Sequence, residues 1–304
     1  MRKLKNIETG DIDFIKGIID STHKRKGEEH LPKEQTFKGR CHARVDAYED
    51  YIKSYDSAFD IDNLQSLEGT HPVLTTSDKE EMKSLYSYSR TNIAKLRKEV
   101  LTTNGYANNF CPLCEINLVN TMDHFIPQTG YPLFAVHPRN LIPSCIDCNG
   151  HKSDTMTDSN GNRKYWNVYL DTPPTENYLY CNVEEVNGMP HIQFYIQQGS
   201  IDDETFRLIK NTMDDDDGQK MFQIYEMACG RFIAKLKDIV VDYVRKNGSI
   251  KNLGECFHAI KKDIEDYFVP NSCEDVVKRA LIDSPIFQKC VEDELKNLGV
   301  VYNK

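Results

Sequence analysis

Apolar residues recur at three- and four-residue intervals over much of this 304-residue chain, and in one stretch they alternate instead. Val45, Tyr48, Ile52 and Tyr55 share the spacing of a helix within 43–58. Ser77-Asp-Lys-Glu80 reads as a capping box, and the helix it opens carries Met82, Leu85, Ile93, Leu96 and Val100 on one face as far as Asn104-Gly105. Tyr178–Val183 and His191–Ile196 alternate at period two around Asn187-Gly188, which predicts a β-hairpin whose connection is longer than a two-residue turn. His191 is then a strand residue, and Trp166, the single tryptophan, belongs to the core. From Asp202 onward the spacing is helical: 205–211, 219–247, then pieces around 251–268, 272–282 and 286–298. The four acids Asp214–Asp217 lack the spaced ligands of a calcium loop and read as an N-capping turn between helices.

Of ten cysteines, four form two knuckles, Cys111-Pro-Leu-Cys114 and Cys145-Ile-Asp-Cys148, and six are scattered singly. That pattern favours reduced thiols and one metal site over a disulfide framework. A C-x-x-C turn delivers two thiolates, and two such turns complete the tetrahedron that zinc prefers. Cys256, His258 and Cys273 lack paired knuckles and are not read as a second site. Thirty residues separate Cys114 from Cys145, more than the ~15–20 of a plain zinc ribbon. The excess holds Met122-Asp-His-Phe-Ile-Pro127, Tyr131-Pro-Leu-Phe134 and Asn140-Leu-Ile-Pro143, and the second knuckle runs on into Asn149-Gly-His151-Lys152.

Charge changes where a polyanion would be expected to bind. The net charge is −9, and residues 111–199 hold 4 Lys and Arg against 9 Asp and Glu. Bulk charge therefore does not draw nucleic acid to this segment. The most basic stretch, His23-Lys-Arg-Lys26 with Lys33, Lys38, Arg40 and Arg44, reads first as a solvated loop and second as a phosphate-contacting arm. The basic face of the helix after residue 77 (Lys83, Arg90, Lys95, Arg97, Lys98) carries the same two readings.

The order Asp-His, Asn-Leu, Cys-x-x-Cys, then Asn or His and a Lys, over about 108–155, resembles the HNH endonucleases of the ββα-metal group in the version flanked by zinc knuckles. The resemblance implies that His124 is the general base that activates water and that Asp123 ligates one catalytic Mg²⁺ or Mn²⁺. It implies that Asn140 holds the loop and orients His124. Asn149 stands where the third signature residue, usually His, is found, and its carboxamide oxygen would complete the cation shell; His151, two residues on, is the other candidate. Lys152 would contact phosphate, and Arg139 the scissile region. Cys111, Cys114, Cys145 and Cys148 would hold the structural Zn²⁺.

The expected fold class is α+β, a mainly helical protein around a small ββα zinc-finger core with an added β-hairpin. Four parts are expected: a helical region 1–107, the nuclease core 108–158, the hairpin insertion 159–200 and a helical region 201–304. The expected activity is metal-dependent hydrolysis of phosphodiester bonds in DNA. The likeness to the HNH partner of Septu-type antiphage systems implies a protein partner, an ATPase among the candidates. The alternative is a zinc protein that binds nucleic acid or scaffolds without catalysis. No run approaches the ~18 uncharged apolar residues of a membrane span, and the basic N-terminus lacks an apolar segment behind it, so a cytoplasmic protein is expected.

Overall fold

The computed structural model describes residues 1–56, 72–152, 156–213 and 220–303. Backbone contacts divide the chain into two compact units, Met1–Leu113 with Asn117–Pro173, and Cys114–Ile116 with Pro174–Lys304. The fold class is mixed α+β, as the hydrophobic spacing predicts. Among the described residues no helix is long and apolar enough to cross a membrane. The acidic run Asp214–Asp217 lies outside the described residues.

The first unit opens with α1 (Asp11–Asp20), α2 (Phe37–Ala47) and α3 (Glu49–Lys53). The helix expected over 43–58 is thus two helices, broken at Tyr48, whose φ of −120° leaves the helical region. Ile15, Ile18 and Ile19 of α1 and Cys41 and Val45 of α2 are fully buried, the apolar stripes whose removal from water drives this packing. Arg40 and Arg44 are not part of a free basic arm. Both hydrogen-bond the buried Glu81, and Arg44 also pairs with Asp78.

The long helix expected after residue 77 is also two, α4 (Thr76–Lys83) and α5 (Thr91–Val100). The capping box is formed by Thr75 and Asp78, not Ser77 and Glu80. The break spans Ser84–Arg90, where Ser84, Ser87 and Ser89 offer the backbone local alternatives to helix. A short hairpin follows, β1 (Thr102–Thr103) and β2 (Tyr106–Ala107), its turn made by Asn104 and Gly105 with φ of 51° and 81°.

Next come β3 (Thr121–His124), β4 (Leu141–Ser144) and α6 (Ile146–His151). The strands pair antiparallel, with Asp123 opposite Ile142 and His124 opposite Leu141, and α6 packs on β3. This ββα unit positions nearly every residue singled out between the knuckles.

In the second unit β5 (Leu179–Val186) and β6 (Met189–Ile196) pair along their full length. Asn187 and Gly188, at φ of 53° and 78°, form a two-residue turn, the mirror-image type whose twist matches the strands. The connection is therefore shorter than the apolar alternation suggests, because pairing continues through Glu184, Glu185 and Val186, which are exposed. Glu184 faces His191 across the hairpin. Helices α7 (Asp203–Met213), α8 (Lys220–Asn247), α9 (Leu253–Asp266), α10 (Cys273–Ile282) and α11 (Pro285–Asn297) complete the unit. Phe194 of β6 packs on Phe222 and Tyr225 of α8 at ring separations of 6.3 and 5.3 Å.

Candidate functional site

Cys145 is the N-cap of α6, and its sulfur accepts a hydrogen bond from the Cys148 amide at 3.4 Å. The first knuckle is closed by the Cys111 amide donating to the Asn117 carbonyl at 2.8 Å, and the Asn117 side chain donates to Asp147 in the second knuckle at 2.8 Å. All four sulfurs are buried and lie within 4.8 Å of one another. Thiolates held tetrahedrally at ~2.3 Å from a zinc ion stand ~3.8 Å apart, so the cluster fits zinc with little adjustment. No other group of three or more such ligands converges among the described residues, including Cys256, His258 and Cys273.

On β3, Asp123 and His124 point to opposite sides of the strand, as neighbours must. His124 Nε2 lies 2.9 Å from the Ala135 carbonyl. A carbonyl only accepts, so Nε2 carries the proton and Nδ1 keeps its lone pair. Burial lowers the pKa of His124; the Ala135 bond and the Asp123 charge oppose this, and Lys152 reinforces it. The net effect favours the neutral ring.

The loop from Phe125 to Asn140 is held from within by Asn140, whose side chain is fully buried. Its Oδ1 accepts from the Ile126 amide at 2.6 Å, and its Nδ2 donates to the Ile126 and Phe134 carbonyls at 3.1 and 2.9 Å. Asn140 makes no direct bond to His124. It fixes Phe134, and the next carbonyl, that of Ala135, holds the imidazole.

Arg139 is engaged by two carboxylates: it pairs with Asp11 and Asp56. His137 is fully buried and stacks on Tyr55 at 4.2 Å. Burial, and then the Arg139 charge, press its pKa far below the ordinary value.

Asn149 donates from Nδ2 to the Thr121 hydroxyl at 3.1 Å. Thr121 and Asp123 share a face of β3, so Asn149 sits beside the strand face that carries Asp123. Lys152 Nζ donates to the His124 carbonyl at 2.7 Å and lies 3.5 Å from Asp123 Oδ1. The backbone of His151 ends α6; its side chain is outside the described residues. Asp123, His124, Asn140, Asn149 and Lys152 are thus gathered around one hairpin, and Arg139 is not.

Two residues of the site carry no motif. The Tyr55 hydroxyl lies 3.0 Å from the Arg139 carbonyl and 3.3 Å from Asn140 Oδ1. Tyr86, in the break between α4 and α5, stands edge-on to His124 with centroids 4.5 Å apart, its hydroxyl 3.4 Å from the Met122 carbonyl. Tyr55 reads as one more apolar helical position, and the serine-rich break that places Tyr86 is masked by the periodicity on either side of it.

Fold and site together define an α+β protein with a four-cysteine cluster fit for zinc and an acid–histidine pair on the adjoining hairpin. No protein-family model matches the chain, and no solved structure does. It is similar to Protein ea31 of Escherichia phage lambda, 30% identical over 155 residues, 48% of this chain and 50% of that protein. It is also similar to Septu protein PtuB of Bacillus thuringiensis, 38% identical over 72 residues, 22% of this chain and 27% of that protein. The chain thus spans about half the length of the first relative and about a quarter of the second.

Proposed function

We propose that the chain is a metal-dependent HNH endonuclease that hydrolyses phosphodiester bonds in DNA, acting in a defence system beside a protein partner. The observation that carries the reading is the His124–Ala135 hydrogen bond, which leaves Nδ1 as a proton acceptor one residue along β3 from Asp123, whose charge reaches the imidazole. A neutral imidazole in that tautomer accepts a proton from water at Nδ1, and the hydroxide so formed attacks phosphorus. Asn140 and Tyr55 keep the Ala135 carbonyl in place. Asp123 and the Asn149 carboxamide oxygen are the hard oxygen donors that Mg²⁺ or Mn²⁺ favours. Such an ion, when bound, supplies Lewis-acid stabilisation of the phosphate charge and the leaving 3′ oxygen. Lys152, already beside Asp123, adds a second positive charge for phosphate. The four cysteines would hold a zinc ion, and the cluster so formed would fix α6, and with it Asn149, against β3.

The partial similarity to a Septu protein supports the defence context and a protein partner, which in Septu-type systems is an ATPase. The acidity of the central segment adds to this, since capture of DNA must draw on charge elsewhere. The test is plasmid nicking by the purified chain with Mg²⁺ and with Mn²⁺, alone and with its partner, against His124→Ala. Nicking that requires the divalent ion and His124 is expected. No metal-dependent cleavage of any DNA or RNA, with partner present, returns the chain to the class of non-catalytic zinc proteins.

A further inference from the structure

Most arginines of the first unit are spent internally: Arg40 and Arg44 on Glu81, Arg139 on Asp11 and Asp56, Arg163 on Asp171. Arg90 and Arg97 differ. Seven residues apart, they fall on one face of α5 and its cap. A buried side-chain nitrogen of each, Arg90 Nε and Arg97 Nη1, has no hydrogen-bond partner, and neither side chain meets a carboxylate among the described residues. A buried guanidinium donor without an acceptor costs free energy. Its persistence beside a catalytic hairpin calls for an acceptor that arrives with a ligand.

Arg97 has a mounted geometry as well as an unspent charge. Its guanidinium lies over the Tyr88 ring, 4.1 Å from the centroid, a stack that holds the planar fork in one orientation. Tyr88 is two residues from Tyr86, whose ring contacts His124. The Tyr86 hydroxyl, pushed up to about 12 chiefly by burial, lies in the field of both Arg97 and Asp123. One short loop therefore ties Arg97 to the imidazole.

We propose that Arg97, backed by Tyr88, binds a backbone phosphate of the nucleic acid adjoining the one attacked at His124. The inference rests on the nuclease reading for its substrate class but is read out by binding. Arg90, on the same face, extends the track by a second cation. The phosphate supplies the acceptor that the buried Nη1 lacks, through the charge-assisted hydrogen bonds a planar guanidinium makes best.

The test uses the full chain with His124→Ala, so that DNA survives, and fluorescence anisotropy with a labelled short DNA duplex over a salt series. Arg97→Gln, which keeps a planar group over Tyr88, is expected to weaken binding about tenfold and to lower the slope of log affinity against log salt by about 0.9. Arg97→Lys should keep the slope and lose part of the affinity. Thermal melts establish that each variant is folded; should the glutamine variant not fold, the lysine variant against Arg97→Met makes the same comparison. Equal slopes for the neutral and lysine variants overturn the proposal. Should the otherwise unaltered chain cleave no nucleic acid while the slope still falls, the nuclease reading fails and the phosphate contact stands.

Discussion

The Tyr55 hydroxyl shares its proton between the Asn140 side chain and the Arg139 carbonyl, 3.3 and 3.0 Å away, across 85 and 84 residues of sequence. The turn that follows α3 thereby reaches into the loop that orients His124. Tyr55→Phe keeps the ring against Phe134 and His137 and removes only the hydroxyl. It is expected to cost about 1 kcal/mol in urea denaturation and to lower nicking activity, with metal content unchanged.

Asn140→Ala should be far more damaging. It leaves the Ile126 amide and the Ile126 and Phe134 carbonyls without their buried partner. The expected loss is about 3 kcal/mol of stability, measured by the denaturation midpoint, together with near-complete loss of activity. An Asn140→Ala protein as stable as its parent would mean that these bonds contribute nothing to the loop.

His124→Ala and Cys148→Ser should separate chemistry from scaffold. The first removes the proton acceptor and is expected to reduce turnover on the order of 10²–10⁴-fold with zinc content and melting temperature nearly unchanged. The second breaks the thiolate set that fixes α6, so zinc is lost and the melting transition falls or broadens. Elemental analysis should find one zinc per chain in the parent.

The acid side of the stability profile should report on Glu81. Burial raises its pKa, but the hydrogen bonds of Arg40 and Arg44 outweigh that and hold it below the ordinary value. A carboxylate depressed in the folded state contributes stability in full above its unfolded value, ~4.3, and that contribution is lost as the pH falls through the lower folded value. Melting curves should therefore show Glu81→Gln well below the parent at pH 7, with the gap narrowing below about pH 4. A gap that is constant with pH would assign the effect to packing alone.

The two knuckles, the Asp123-His124 pair, Asn140 and Asn149 were legible in the sequence because each sits in a short motif whose spacing reflects local geometry. The helices from 203 to 297 were legible for the same reason, since apolar period and secondary structure share one scale. The break at Ser84–Arg90 was not, because the apolar stripes on either side continue one another in phase and only the serines interrupt them. Tyr55, Tyr86 and the engagement of Arg139 by Asp11 and Asp56 were out of reach, being contacts between segments far apart in the chain. Arg139 shows the cost of reading a cation by its neighbours in sequence: local spacing sets it beside the loop, whereas its charge is engaged by Asp11 and Asp56 from far along the chain.

The acceptor that sets the His124 tautomer belongs to the main chain of Ala135. Exchanging one side chain for another at position 135 leaves that oxygen in the polypeptide, so drift in sequence erodes the contact only by displacing the backbone. Ala135 is itself fully buried, so a bulkier residue there would do so by pushing the loop aside. The vulnerability of the site is thus transferred to the residues that brace the loop, Asn140, Tyr55 and Phe134, all of them fully buried. Loss-of-function substitutions should be found among them as readily as at the histidine.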